Sequence, residues 1–400
     1  MRRILALIMA ICLAVTLAAC SGAAPDAVPT AIDDNAILNN DASQLTATAK
    51  APEHPSPSMH AISLPVCKEA VFSDDGTELM TLSFQNIQVM LGNEAAQEAI
   101  IGDIQTRRGS ILTEAEQIEE AARRDYPESD AWGSYFIDFS YTPTRLDRAV
   151  LSLFGSRFTY SGGPHPSLST DSVTYDLENG GLLFLDEILD PSCTADSLCQ
   201  LILKSLAEQN QELYYDYAAA VRDRFTSDLH SIQAWYFSRR GLCFHFAPYD
   251  IAPYSSGTII AEIPYEELEG IILEKFLFTE VAEATGSMYA KAYAQEDAQT
   301  FTTVCDVTVN EIGTEVLLHP DALVTDVRIE TGTRYTDTQQ FIALSTAFAA
   351  DRMDVCDAIR LSADLSDPET PLRLQYRSAG QEYSAFISYD AAADSVVLAN

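Results

Sequence analysis

The amino terminus is the feature that most constrains where this chain can fold. Arg2 and Arg3 precede an apolar run over residues 4–17, and two alanines follow it. A basic start, an apolar centre and a small-residue end are typical of a secretory signal peptide. The run is shorter than the roughly 20 apolar residues that a membrane-spanning helix needs. We therefore expect residues 1–19 to be a signal peptide and the remainder to fold outside the cytoplasm.

Cys20 directly follows the stretch Leu17-Ala18-Ala19. This arrangement resembles a bacterial lipoprotein signal. The resemblance implies cleavage before Cys20, lipidation of its thiol with diacylglycerol and palmitate, and an extracytoplasmic protein anchored to the bacterial cell membrane. An ordinary signal peptide, or a short membrane span that contains a cysteine, is the alternative.

Composition and pattern divide the rest of the chain into three parts. Residues 20–60 are rich in small and polar residues without an apolar period, which predicts a flexible tether. Strand and helix patterns alternate over residues 61–278, which predicts α+β structure. Short strand patterns dominate residues 279–400, which predicts a β-rich module. The expected fold class is α+β, with mixed or antiparallel sheets and packed helices in the central region and a small β-rich C-terminal module.

Several helices are predicted from spacing. One begins at Asn93, and the capping-box spacing of Thr113–Glu116 predicts a second helix after it. Apolar residues at spacings of three and four predict a helix over 195–210. Another helical stretch is predicted near residues 214–225 and a short helix from Tyr265. A linking helix is predicted over Phe276–Ala294, and a further helix over Asp337–Asp351.

The chain is strongly acidic, with 24 Lys and Arg against 59 Asp and Glu and a net charge of −35. Nucleic acids and anionic surfaces repel such a chain, whereas cationic partners are attracted to it. Acidity that serves only solubility is the alternative explanation.

Six cysteines remain once Cys12 in the signal and Cys20 are set aside. An even number outside the cytosol favours disulfides. From proximity within the expected domains, we predict the pairs Cys305–Cys356, Cys193–Cys199 and Cys67–Cys243.

Two loops stand out as candidate binding elements. Gly162 and Gly163 precede Pro164, a combination that makes a tight turn from which His165 projects. A turn histidine that satisfies backbone groups is favoured over a catalytic or metal-binding one. The second loop, Pro248–Gly257, is stiffened by two prolines and a glycine, and it can act as a recognition loop or as a cap on its own core. Its candidate ligand-binding residues are Tyr249, Asp250, Ile251, Pro253 and Tyr254.

Longer stretches around these loops carry a family resemblance. They are Tyr160–Pro166, Thr174–Gly180, and Tyr236–Gly257 with its continuation Ile263–Leu268. Together they resemble the paired extracytoplasmic domains of unknown function 4163 and 3298, found in the outer domain of the lysozyme-sensing anti-sigma-V factor. The resemblance covers roughly residues 61–275, so residues 61–170 are 4163-like and residues 171–278 are 3298-like. It implies recognition of an extracytoplasmic ligand.

Catalytic motifs are missing from the sequence. It contains no GxSxG, HExxH, P-loop or CxxC pattern. We therefore predict a protein that is not an enzyme and that uses no cofactor or metal.

The leading functional hypothesis combines these features. It is a non-catalytic, lipid-anchored surface protein whose 3298-like domain binds lysozyme or another cationic protein, with no contact to nucleic acid. The alternative is an accessory protein that binds or processes cell-wall carbohydrate, peptidoglycan above all.

Overall fold

The computed structural model describes residues 59–126, 132–209, 211–225, 228–279, 281, 284–309, 313–334, 341–366, 371–390 and 395–399. By internal contacts the chain divides into Met1–Glu53 and His54–Asn400, and every described residue belongs to the second unit. The predicted signal peptide, Cys20 and nearly all of the predicted tether lie outside the described residues. No helix in the described part of the chain is long and apolar enough to cross a membrane.

Strands dominate the architecture, since 46% of the described residues are strand and 24% are helical. Within these residues the α-helices are α1 (Glu94–Asp125), α2 (Leu185–Ile188), α3 (Ala195–Glu208) and α4 (Tyr217–Phe225). The strands are β1 (Ala61–Ser63), β2 (Val66–Phe72), β3 (Glu78–Gln85), β4 (Gln88–Met90), β5 (Tyr135–Leu146), β6 (Val150–Tyr160), β7 (Ser167–Asp176), β8 (Trp235–Phe237), β9 (Gly241–Phe246), β10 (Ile259–Pro264), β11 (Met288–Ala292), β12 (Thr303–Thr308), β13 (Thr314–Pro320), β14 (Val324–Arg334), β15 (Phe341–Met353), β16 (Asp357–Ala363), β17 (Leu372–Ser378), β18 (Gln381–Asp390) and β19 (Ser395–Ala399). Short 3-10 helices include Tyr254–Ser256, Tyr265–Glu267 and Glu274–Phe276.

A five-stranded sheet in the order β2-β3-β5-β6-β7 carries α1 on one face. Its neighbours β3 and β5 run parallel, because α1 lies between them in sequence and crosses from one to the other. The Asn93 side chain caps α1 by accepting the Ala96 N–H at 3.3 Å. Buried residues recur along α1 at helical spacings: Ala96, Ile100, Ile104, Ile111, Ala115, Ile118 and Ala122.

The second predicted helix is not separate from the first. Glu94–Asp125 is continuous, and Thr113 lies inside it with its hydroxyl donating to the Gly109 carbonyl at 3.0 Å. A threonine that bonds back to the carbonyl four residues earlier is a helix-interior residue, so the capping-box prediction at this position was wrong.

The sheet β10-β9-β8 packs with α3 and α4 around the largest apolar cluster. The predicted apolar face of α3 is confirmed, since Leu198, Ile202 and Leu206 are all buried. Every residue of β9 is buried. At Gly241 an added Cβ would lie 1.9 Å from the Ile263 carbonyl oxygen, so only glycine allows β9 and β10 to approach this closely.

The C-terminal strands form a seven-stranded sheet, β19-β18-β17-β14-β15-β1-β4, and a four-stranded sheet, β11-β13-β16-β12. Apolar residues of both sheets share one cluster. The first described strand joins this region, because Ala61 pairs with Ala350 of β15. Strands far apart in sequence thus build one sheet.

The two helices predicted after residue 275 are not present in the described residues of either segment, which form mainly strands and irregular structure. Over Phe276–Ala294 the chain ends a 3-10 turn and later forms β11, while most of Asp337–Asp351 belongs to β15. Residues 346–351 of β15 are buried between β14 and β1, where strand pairing outweighs the helix propensity of alanine. The predicted mixed and antiparallel sheets are confirmed. The predicted α+β class with packed helices is corrected to a strand-rich mixed fold with few helices.

Candidate functional site

The two predicted loops meet in space. The His165 ring lies 4.5 Å from the Tyr254 ring, and the Tyr254 ring lies 5.8 Å from that of Tyr249. The Tyr254 hydroxyl also donates to the Pro166 carbonyl at 2.7 Å. We call these three neighbouring side chains, His165, Tyr254 and Tyr249, the aromatic ladder. Residues nearly 90 positions apart thereby form one surface feature.

The turn before His165 depends on its glycines. Gly162 and Gly163 have φ angles of 94° and 106°, a region that favours glycine. An added Cβ on Gly162 would also lie 2.9 Å from the Tyr135 hydroxyl. His165 is exposed, and its Nδ1 lies 2.9 Å from the carbonyl oxygen of Pro166. It is therefore both a turn histidine with a backbone partner and an element of the ladder.

The loop Pro248–Gly257 has one side in the core and one side in solvent. Ile251 is only 2% exposed and packs in the apolar cluster, whereas Tyr249 is 60% exposed. Tyr249 has φ 76°, a conformation that is costly for a bulky residue. Pro253 precedes the 3-10 turn that holds Tyr254. The two interpretations of this loop, core cap and recognition loop, thus apply to different residues.

Beside the ladder lies an open cleft of about 330 Å³. It is bounded by β7 on one side and by the ends of α4 and β9 on the other. Its polar lining includes Thr170, Asp171, Arg224, Gln233, His245 and Asp250. Asp250 is the one predicted ligand-binding residue among them.

His245 is the buried member of this cleft. Its Nδ1 lies 2.9 Å from the Thr170 hydroxyl, and its Nε2 lies 2.9 Å from the Ser172 hydroxyl. Burial, with a smaller contribution from the charge of Arg224, lowers the pKa of His245 to about 4. The imidazole is therefore neutral near pH 7 and both nitrogens are engaged, which suits a structural donor and acceptor better than a general base.

Each carboxylate of the cleft has an arginine partner. Asp171 accepts from the Tyr141 hydroxyl at 2.7 Å and lies 3.5 Å from Arg107. Asp250 accepts from Arg224 at 3.2 Å and from the Ala247 N–H at 2.9 Å. These contacts hold both carboxylates in place at the surface. In the described residues no group of three or more His, Cys, Asp or Glu side chains could hold a metal ion. The arrangement suits recognition by hydrogen bonds and ring stacking.

The predicted disulfides are not present, since no disulfide joins any of the six described cysteines. Cys305 pairs with Ile359 across parallel strands, three residues beyond Cys356. That offset separates the two cysteines by about 10 Å along the strands, too far for a disulfide.

The cysteines of the other two pairs, all of them within the described residues, also form no disulfide. The Cys193 sulfur contacts Ser197 at the start of α3, while Cys199 is buried in the apolar cluster. Cys67 lies on β2 of the five-stranded sheet, while Cys243 lies on β9 with its sulfur 3.6 Å from Glu262. Proximity in sequence was a poor guide for Cys305 and Cys356 because their separation is set by strand register, which the sequence does not show. Cys67 and Cys243 lie in different sheets.

Comparison with known families identifies the region that contains α2 to β10. The profile of a family described as "Protein of unknown function (DUF3298)" matches residues 184–266. This chain contains a DUF3298 domain. The domain includes the loop Pro248–Gly257 and the cleft residues Arg224, His245 and Asp250.

Two solved structures of the DUF3298 family resemble the chain. A member from Bacteroides fragilis is 18% identical, with 54% of this chain and 94% of that chain covered and a TM-score of 0.41. One from Pseudomonas aeruginosa PAO1 is 14% identical, with 55% and 97% covered and a TM-score of 0.37. No curated protein shows significant similarity to this chain.

Several site residues lie before the DUF3298 match. Gly162, Gly163, His165 and Thr170 all come from β6, β7 and the turn between them. The assignment of residues 61–170 to the 4163 family stays a prediction. His245 and Thr170 were missed from the sequence, because a single histidine in an apolar strand gives no signal until its neighbours are known.

Proposed function

We propose that this chain is a non-catalytic surface protein whose DUF3298 domain binds a cationic protein, such as lysozyme, on the aromatic ladder and the adjoining cleft. The observation that carries the proposal is the meeting of His165, Tyr254 and Tyr249 at an exposed edge beside two fixed carboxylates. Residue types that stack and accept hydrogen bonds thus share one accessible surface.

Preorganisation supports this use of the loop. Tyr254 is tied to the Pro166 carbonyl and Asp250 to the Ala247 N–H, so both are held before a ligand arrives. A loop that is already ordered loses little conformational entropy on binding, and tyrosine supplies a large contact area with few rotatable bonds. The net charge of −35 would speed encounter with a basic partner and favour it over an acidic one.

Lipid anchoring of Cys20 is the second part of the proposal. It would hold the binding domain at the outer side of the cell membrane, where an extracellular cationic protein is met. Cys20→Ser is expected to release the protein from membranes into the soluble fraction. Mass spectrometry of the mature amino terminus checks this directly, and an unmodified Cys20 would contradict it.

Calorimetry with lysozyme tests the binding proposal. The unit His54–Asn400 is titrated with lysozyme at low and at physiological salt, and binding that weakens with salt is expected. Tyr249→Ala should weaken binding at least tenfold because it removes a ring of the ladder that is 60% exposed. Tyr215→Ala is the matched control, since Tyr215 is a fully exposed tyrosine of the same domain outside the site. No heat at low salt, or equal losses in both variants, would count against the proposal.

Cell-wall carbohydrate is the second candidate ligand. It is favoured by one observation, the exposed tyrosine rings next to a cleft lined by hydroxyl, amide and carboxylate groups. Sugar rings stack on tyrosine while their hydroxyls bond such groups. Retention on purified peptidoglycan that Tyr249→Ala abolishes and that lysozyme does not compete away would support carbohydrate over protein.

A further inference from the structure

The outer edge of β7 is covered at both of its ends. Near its C-terminal end the Leu183 N–H donates to the Thr174 carbonyl at 2.8 Å, and the Asp176 N–H donates to the Gly181 carbonyl at 2.9 Å. Just before its N-terminal end, the Pro166 carbonyl accepts from the Tyr254 hydroxyl. β7 is the last strand of its sheet, with β6 on its other side.

The middle of this edge is open. Backbone groups along a strand alternate between its two sides with a period of two residues. Pro166, Thr174 and Asp176 direct their bonded backbone groups away from β6. Leu168 and Thr170 lie an even number of residues from them, so their N–H and C=O groups also point away from β6. Among the described residues, none bonds to the outward N–H or C=O of Leu168 or Thr170.

Accessibility confines the open edge to these two residues. Ser172, the next in the series, is 5% exposed, and its hydroxyl contacts the carbonyls of Gln233 and Trp235. Leu168 and Thr170 are half-buried, and Thr170 lies on the wall of the cleft. Within the described part of the chain, the opening therefore leaves two outward N–H and two outward C=O groups unpaired, those of Thr170 on the wall of the cleft and those of Leu168 two residues earlier on the same edge. Unpaired strand edges attract other strands, and proteins usually cover them.

We propose that the cleft binds an extended, basic peptide segment of a partner protein, which adds to the five-stranded sheet as a short strand beside Leu168 and Thr170. Main-chain hydrogen bonds supply affinity in this mode of recognition, and alternate side chains supply specificity. The aromatic ladder limits the strand at one end, and the pairing of β7 with residues 181–183 limits it at the other.

Charge selects the kind of segment. Asp171 lies on the α1 side of β7, where it contacts Tyr141 and Arg107, and Asp250 lies across the cleft. Each has an arginine neighbour, so the local charges nearly balance, but the chain as a whole carries −35. A basic segment is thus attracted to the surface by the whole protein and meets fixed acceptors inside the cleft. This mode of binding rests on the proposed function for its biological partner, but its structural test does not.

Amide hydrogen exchange resolved to single residues tests the open edge. The probe is the capped heptapeptide Lys-Val-Lys-Thr-Lys-Val-Lys, added to the unit His54–Asn400. We expect the amides of Leu168 and Thr170 to exchange at least tenfold more slowly with the peptide. Ser169 and Asp171 are internal controls in the same strand, because their amides face β6 and are protected already. The same peptide with glutamate in place of lysine should give at most a third of the protection.

A variant provides a second measurement. Thr170→Pro removes one outward N–H, which the fold does not use, and should weaken peptide binding at least tenfold. Thr170→Val keeps that N–H and should bind the peptide as the parent does. If Thr170→Pro does not fold, the exchange pattern of the parent protein decides alone.

Distinct outcomes separate the two proposals. Lysozyme binding without protection of Leu168 and Thr170, together with no protection by the peptide, would overturn strand addition and leave the proposed function standing. Protection by the peptide without any lysozyme binding would support strand addition and count against the proposed function.

Two further outcomes concern other occupants of the edge. Protection that rises with protein concentration alone would assign the edge to a second copy. Protection present in residues 21–400 but absent in 54–400 would assign it to the chain's own N-terminal segment. Either of these last results overturns the proposal.

Discussion

Arg145 and His245 are two buried polar side chains of this molecule, and their surroundings compensate the cost of burial in opposite ways. Arg145 is 1% exposed and lies on β5. Its guanidinium donates to Asp147, to the Tyr265 hydroxyl and to the Phe276 carbonyl, each at 2.6 Å. Aromatic rings surround it: Phe237, Tyr265 and Phe278 have centroids 5.1 to 5.5 Å from the guanidinium carbon.

His245 is comparably buried but has different partners. Hydroxyl groups contact both of its nitrogens, no described carboxylate bonds to it, and its lowered pKa keeps it neutral. An anion and two oxygen dipoles compensate the buried guanidinium of Arg145, whereas His245 is buried without its charge. The first centre joins β5 to the DUF3298 domain, and its guanidinium is buried. The second lines a cleft.

The comparison predicts a large loss of stability when Arg145 is replaced. Arg145→Met leaves the Phe276 carbonyl and the Asp147 carboxylate without their cation, which should cost about 3–5 kcal/mol. Arg148→Met is the matched control, since Arg148 is an exposed arginine in the adjoining turn and should change stability by less than about 0.5 kcal/mol. Urea unfolding of both variants measures the difference. Equal midpoints would show that Arg145 is not the structural centre inferred here.

His245, which lines the cleft, should instead make the stability of the folded chain depend on pH. The pKa of His245 falls to about 4 in the folded chain, against about 6.5 when unfolded. Below pH 6.5 the unfolded chain therefore binds a proton first, so this stabilisation is complete above pH 6.5 and is lost as the pH falls toward 4. The loss should reach about 2–3 kcal/mol.

His245→Gln isolates this contribution from other titrating groups. Urea unfolding of the parent and the variant from pH 7.5 to pH 4.5 gives two curves, and the parent should lose stability more steeply. Parallel curves would contradict the assignment of the pH dependence to His245.

Part of the candidate site could be predicted from the sequence. Glycine, proline and tyrosine have strong local preferences, so the turn at Gly162 and the stiff loop containing Tyr249 were recognisable without a structure. The helix α3 was equally visible, because its apolar spacing is local. Each of these signals lies within about 15 consecutive residues.

The rest depends on strand pairing over long separations. Ala61 pairs with Ala350, and Thr170 meets His245, through registers that no short segment encodes. The same limit explains the misassigned helix at residues 337–351, whose alanines favour a helix until β14 and β1 flank them. It also explains the absent Cys305–Cys356 disulfide, since strand register holds these two cysteines apart. The open edge of β7 is visible only after every neighbouring strand has been placed.

The smallest expected effect concerns strain in the ladder. Tyr249 and Ala379 both have positive φ, at 76° and 50°, but only Tyr249 lies at the proposed binding surface. Tyr249→Asn should stabilise the unit His54–Asn400 by up to about 1 kcal/mol, because asparagine tolerates this conformation, while lysozyme binding weakens at least tenfold. Ala379→Gly should give a similar gain in stability with binding unchanged. Thermal unfolding and calorimetry on both variants decide whether the strain at Tyr249 serves recognition. A gain in stability with full binding at Tyr249 would place it with Ala379 as a turn residue alone.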